Sequence, residues 1–348
     1  MAKITPKDNF LKLAGGGHPE YVPFYTMMGT EATKEKPVMM CSPGIFGNPF
    51  GDMSPDGFTD MWGVKNVMNN ETAFAAMPEP GNFILDDVTK WPDIIKRPQP
   101  ADIGDWAAMA KTDLENLGID RSQTALSSGI FFQPFQTLMG FMGHTEGLVA
   151  MYEEPEAVKE LMDFLVSTFE PFLDNIVEYY QPDIWNLGDD TCTELAPFFS
   201  VEMYKEFFKP IYTRLARPAV ERGIPIIFHI CGMMEPFIDD MLDFGVKYIE
   251  PTQETNDINA LKIKYKNRVS FIGGYDYGRH VPPGYPNFDR ELLRQDVRDT
   301  FDKYAEGGGW GMFAWPISYL GDETIEEVKR IIWDESYDYG RKVYGYTD

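Results

Sequence analysis

The chain has 348 residues, 43% of them hydrophobic and 25% charged, a globular composition that excludes disordered, collagen-like and disulfide-framework proteins. Acids outnumber bases by 55 to 31, and a formal charge of −24 repels phosphate backbones and anionic lipid, which argues against nucleic acid and membrane as partners. Three cysteines, no apolar leader at the N-terminus and no apolar run near the ~18 residues of a membrane span point to a reducing cytoplasm.

The first 150 residues are irregular and rich in Gly and Pro, with strand candidates at Val22–Met27, Val38–Cys41 and Thr124–Ser128. Between them, 42–63 has neither helical nor strand period and reads as a long ordered loop, a kind of segment that is often functional. A helix is predicted over 155–180, where Val158, Leu161, Met162, Leu165 and Phe169 keep to one face and Pro155 stands near the start. Beyond it, strand-like runs at Ile184–Leu187, Ile224–Ile230, Val246–Ile249, Val269–Ile272 and Trp310–Ala314 alternate with amphipathic segments at about 201–222, 234–244, 257–266, 289–305 and 323–342. Strands alternating with helices at this spacing are consecutive βαβ units on a parallel sheet. With no repeat or linker to divide it, the chain reads as one domain, 1–348, with 151–348 as its regular part.

If the units close into a barrel, chemistry collects at the C-terminal ends of the strands. Asp189 and Asp190, His229 and Cys231, Glu250 and Asp276 all stand there. The sharpest signal is IIFHICG, 226–232. Residues i and i+2 of a strand share a face, so His229 and Cys231 look one way, and imidazole with thiolate is a donor pair that zinc favours. The same two residues also suit a buried small thiol beside a hydrogen-bonded imidazole. Cys41, Cys192, Glu235 and Glu250 are candidate third ligands, with Glu250, at a strand end on the same rim, preferred. GDD at 188–190 and GGYD at 273–276 make the paired acids Asp189 and Asp190, and Asp276, candidates for substrate orientation or proton transfer, and all three also suit turn chemistry. The Met and aromatic clusters at 25–29 and 129–142 suit either the core or the mouth; Tyr25, Met27, Met28, Phe132, Tyr277 and Trp315 are the candidate substrate-binding set.

The run of GDDTCTEL (188–195), MYKEFFKPIYTRL (203–215), IPIIFHICG (224–232), FGVKYIEPTQ (244–253) and NRVSFIGGYD (267–276) resembles the uroporphyrinogen decarboxylase superfamily, and its corrinoid-dependent methyltransferase branch in particular. The resemblance implies a (β/α)8 TIM barrel with its site at the C-terminal mouth. The decarboxylase's N-terminal arginine motif is absent, since 21–29 reads YVPFYTMMG. The His-x-Cys pair of the zinc methyltransferases matches His229 and Cys231, whereas the late cysteine of thiol-methylating members is missing from 309–318. Glu235 and Glu250 have the fifteen-residue spacing of ether-cleaving members, but Phe271 takes the place of their downstream histidine. The resemblance also implies a zinc enzyme that moves a methyl group from a small donor, such as an aromatic methyl ether, to the corrinoid (cobalamin) of a separate corrinoid-binding protein. A metal-free decarboxylase-type lyase, a methylcobalamin:thiol methyltransferase and a non-catalytic binding barrel are the competing readings. Barrels of this size commonly pair, so a homodimer is a further expectation.

Overall fold

A computed structural model describes residues 3–25, 33–46, 57–69, 72, 76–101, 103–130, 132–276, 278, 287–314, 316 and 322–347. Its strands are β1 (Phe24–Tyr25), β2 (Val38–Cys41), β3 (Phe58–Thr59), β4 (Lys65–Val67), β5 (Met77–Pro78), β6 (Ala125–Gly129), β7 (Ile184–Gly188), β8 (Ile226–His229), β9 (Val246–Thr252), β10 (Ser270–Gly273) and β11 (Trp310–Phe313). Eight of them lie parallel in the order β1-β11-β10-β9-β8-β7-β6-β2, a nearly closed barrel whose seam falls between the two N-terminal strands. The expected TIM-barrel fold is therefore the observed one.

The helices are α1 (Pro6–Leu11), α2 (Trp91–Ile94), α3 (Trp106–Leu117), α4 (Pro134–Met142), α5 (His144–Glu153), α6 (Pro155–Tyr180), α7 (Val201–Met203), α8 (Lys209–Glu221), α9 (Ile238–Asp243), α10 (Ile258–Lys264), α11 (Arg290–Tyr304) and α12 (Thr324–Lys342). The helix predicted over 201–222 is broken by a π-helical turn at Tyr204–Phe208. Pro210 explains it: proline has no N–H to return to the carbonyl four residues back, and its ring crowds that carbonyl, so the turn widens. Within 42–63, read as loop, β3 pairs antiparallel with β4, which pairs with β5. Strands of two or three residues are too short to leave a period in the sequence. Among the described residues no helix is long and apolar enough to cross a membrane.

Alternation along the strands builds two apolar clusters. One face packs on the helices. The other points into the barrel, where Tyr25, Val38, Ala125, Ile184, Ile227, Tyr248, Ile272 and Phe313 meet Phe10 and Leu13. Phe10 stacks on Tyr248 with ring centroids 5.4 Å apart and tilts against Tyr25 at 5.8 Å. It rides on α1, started by Pro6 and by the Thr5 hydroxyl, which accepts from the Asp8 N–H at 3.0 Å. The Lys7 N–H donates to the carbonyl of Gln123, just before β6, so α1 caps the N-terminal end of the barrel. Phe10→Ala should lower stability by about 3–5 kcal/mol, the usual cost of deleting a buried phenyl ring. Denaturant midpoints measure it, and a loss under ~1 kcal/mol would show that Phe10 is not the stopper of the barrel.

Candidate metal centre

β8 sends Ile227 inward and Phe228 out to the helices, so His229 points inward again, with Cys231 two residues on. The register sets His229 between Gly188 of β7 and Glu250 of β9. No side chain fits at 188, where a Cβ would stand 2.6 Å from that of His229. Past Cys231 the chain turns at Gly232, whose φ of +92° favours glycine and whose Cβ would meet the Thr193 carbonyl oxygen at 2.4 Å.

Glu250 is fully buried, and both its carboxylate oxygens lie 3.1 Å from His229 Nδ1. A carboxylate can only accept, so Nδ1 carries the proton and donates it. Nε2 then looks the other way, 3.7 Å from Cys231 Sγ and 3.7 Å from Asp190 Oδ1. The Cys231 N–H donates to the same Asp190 oxygen at 2.8 Å. One nitrogen, one sulfur and one oxygen thus lie within 4.8 Å of one another. Ligands of a tetrahedral zinc ion stand roughly 3.3–3.8 Å apart, given bonds of about 2.0–2.3 Å, so the two 3.7 Å separations from Nε2 and the donor types suit that ion. Burial pulls the His229 pKa down, but Glu250, Cys231 and Asp190 together outweigh it and hold the pKa well above its ordinary value. Burial pushes the Cys231 thiol up, with His229 working against it.

The family model for uroporphyrinogen decarboxylase (URO-D) matches residues 111–310, more than half of the chain. The chain belongs to the uroporphyrinogen decarboxylase family. Among solved structures it is similar to a methyltransferase from Methanosarcina mazei, at 14% identity and a TM-score of 0.59 over 97% of this chain and 100% of that one. A D-psicose 3-epimerase solved in the presence of D-fructose is 13% identical, with a TM-score of 0.38 over 69% and 83%. At 14% identity, the likeness to the Methanosarcina methyltransferase speaks to the fold alone. No curated protein matches the sequence.

In this URO-D family member the site differs from its sequence-based picture in three places. Glu250, preferred as the third ligand, stands behind the imidazole, and Asp190 takes the place beside Nε2 and Sγ. Asp189, expected at the mouth, turns outward instead. It is fully buried and accepts from the backbone N–H groups of Phe135 at 2.6 Å and Gln136 at 3.1 Å and from the Tyr212 hydroxyl at 2.9 Å. It therefore anchors the N-terminus of α4, a positioning role. Asp276 is exposed and closes a turn by accepting from the Gly278 N–H at 2.9 Å.

Glu235 pairs with Lys264 at 3.1 Å on the surface, so the two glutamates spaced fifteen apart do not meet the same group. Cys41 and Cys192 are buried, with thiols pushed up to about 11 and about 12 by burial, and neither belongs to the donor cluster. Tyr25 is buried among the rings of Phe10 and Phe313, deep in the barrel. Phe132 is buried and stacks on Phe169 at 4.6 Å. Met27, Met28, Tyr277 and Trp315 lie outside the described residues.

Among the described residues, Tyr25 Oη, Ser127 Oγ, Asn186 Nδ2 and Tyr248 Oη inside the barrel have no hydrogen-bond partner. Ser127 and Asn186 escaped the sequence reading, although both fall on the inward alternation of their strands. Asp190 has the same signal, since 186, 188 and 190 share a parity.

Asp189 also carries a pH signature, because burial pushes its pKa up to about 7. An unfolded aspartate titrates near about 3.9, so the folded chain holds this proton the more tightly. The stability it contributes is complete below about pH 4 and is lost as pH rises through about 7. In urea titrations, the stability of the native protein minus that of Asp189→Asn should decrease between those limits. A difference independent of pH would show Asp189 ionised throughout.

Proposed function

We propose that this protein is a zinc- and corrinoid-dependent methyltransferase, which removes the methyl group of an aromatic methyl ether and passes it to the cobalt(I) corrinoid of a partner protein. The observation that carries the reading is the convergence of His229 Nε2, Cys231 Sγ and Asp190 Oδ1 at a barrel mouth, with a buried carboxylate behind the imidazole. The membership in the uroporphyrinogen decarboxylase family and the methyltransferase of like fold support it.

His229, Cys231 and Asp190 would hold the metal, and three protein ligands are the usual complement of a catalytic zinc that keeps one position for substrate. When bound there, zinc supplies a Lewis acid for the ether oxygen, whose leaving as phenolate is otherwise slow. Glu250 fixes the tautomer and the ring plane of His229, the part a carboxylate plays behind a metal-bound imidazole. Asp189 holds α4, and with it the wall beside Asp190, in place. The barrel shields the reacting centre from water and aligns it, since in-line attack on a methyl carbon depends on geometry.

Cys231→Ala should lose most bound zinc and most activity while keeping its far-UV spectrum. Full zinc occupancy in that variant would place the ligands elsewhere. Glu250→Gln should weaken zinc about 10- to 100-fold by chelator competition, and zinc affinity of the native protein should fall as pH drops and protons compete for the ligands. The reaction is tested by anaerobic incubation with methoxylated aromatics and cob(I)alamin, following methylcobalamin by absorbance. No methylcobalamin, together with loss of carboxyl groups from a porphyrinogen, would assign the protein to the lyases.

A further inference from the structure

Between the small β3–β4–β5 sheet and α4 lies a cleft of about 200 Å³. Both walls arise from the mouth side of the barrel: the sheet follows β2, and the segment leading into α4 follows β6. Aromatic and thioether side chains line it. Phe132 stacks on Phe169 with centroids 4.6 Å apart, Trp62 meets Phe169 edge-on at 6.1 Å, and Met61 is part of the lining. Gln136 lines the cleft, and its Nε2 donates to the main-chain oxygen of Asp190 at 2.7 Å. Gln136 therefore links the cleft to the residue beside His229 and Cys231.

We infer that this cleft seats the ring of the methyl donor and selects neutral methoxyarenes over methoxybenzoates, a deepening that rests on the methyltransferase reading. Size permits it, because a dry cavity of about 150 Å³ already takes benzene. Ring edges and a thioether offer the contacts an arene prefers. Charge decides the class. Among the described lining residues there is no Lys, Arg or His, and the one ionisable group is an acid, Asp60, whose Oδ1 accepts from the N–H groups of Trp62 and Val64 at 2.9 Å each. A ring carboxylate entering here would leave water for an apolar wall with no cation to receive it.

The test compares binding of 4-methoxybenzyl alcohol and 4-methoxybenzoate, alike in shape but one neutral and one anionic, by calorimetry on the purified protein at pH 7. The alcohol should bind at least tenfold tighter. Gly140 faces the cleft from α4, and a Cβ there meets nothing nearer than Pro78 Cγ at 3.8 Å, so Gly140→Leu has room at its root and fills the cleft with the rest. That variant should lose at least tenfold in affinity for the alcohol. Gln133→Arg, at the half-buried rim, should narrow or reverse the preference by supplying the missing cation, and it decides the matter if Gly140→Leu does not fold. Equal affinities for the two ligands, or variants that bind as the native protein does, would overturn the inference. Cleft-dependent binding without demethylation would instead overturn the reaction and leave the cleft assigned. Demethylation indifferent to both variants would do the reverse.

Discussion

A carboxylate without any contact with water costs several kcal/mol unless another group receives its charge, and Glu250 is in that position at the centre of the barrel. The register of β8 against β9 supplies the answer by setting His229 directly opposite. Much of the mouth is then determined. The bond to Nδ1 settles which ring nitrogen keeps its proton, and with it which nitrogen can give up a proton and turn a lone pair to a metal. The ring needs room on its other flank, and Gly188 provides it. Cys231 and Asp190 stand where that lone pair points, tied together by a backbone hydrogen bond that would hold them close even without an ion between them.

The alternation of apolar residues made the barrel readable. From 155 onward each predicted strand and helix has an observed counterpart, displaced by a few residues at most. His229 and Cys231 were readable for the same reason, since both chemistry and parity are local. Asp189 and Asp190 show where local reasoning stops. The pair is chemically uniform, and only the strand's parity separates the residue that anchors a helix from the one that joins the donors. The partnership of Glu250 with His229 spans twenty-one residues and depends on strand register, which no window of sequence reveals. The β3–β4–β5 sheet was hidden because its strands are shorter than any detectable period.

The region matched to the uroporphyrinogen decarboxylase family, 111–310, holds all of the donor cluster. The outer wall of the cleft is built from residues within 58–66 and 76–78, upstream of that match. The part that would handle the metal and the part that would choose the ring are thus separate stretches of chain, joined through Gln136. Loops around a fixed barrel can vary independently of the groups they surround, which is how this fold supports many chemistries.

Phe10 and Leu13 stop the barrel at its N-terminal end, which leaves the mouth as the side from which a small molecule would reach the donor cluster. A protein large enough to deliver a corrinoid to that mouth would also sit across this passage. Encounters would then have a fixed sequence: the small molecule enters, the partner docks, and the spent ring waits for the partner to leave. Turnover in such a system is governed by how quickly two proteins separate, and excess partner would slow it by keeping the door shut.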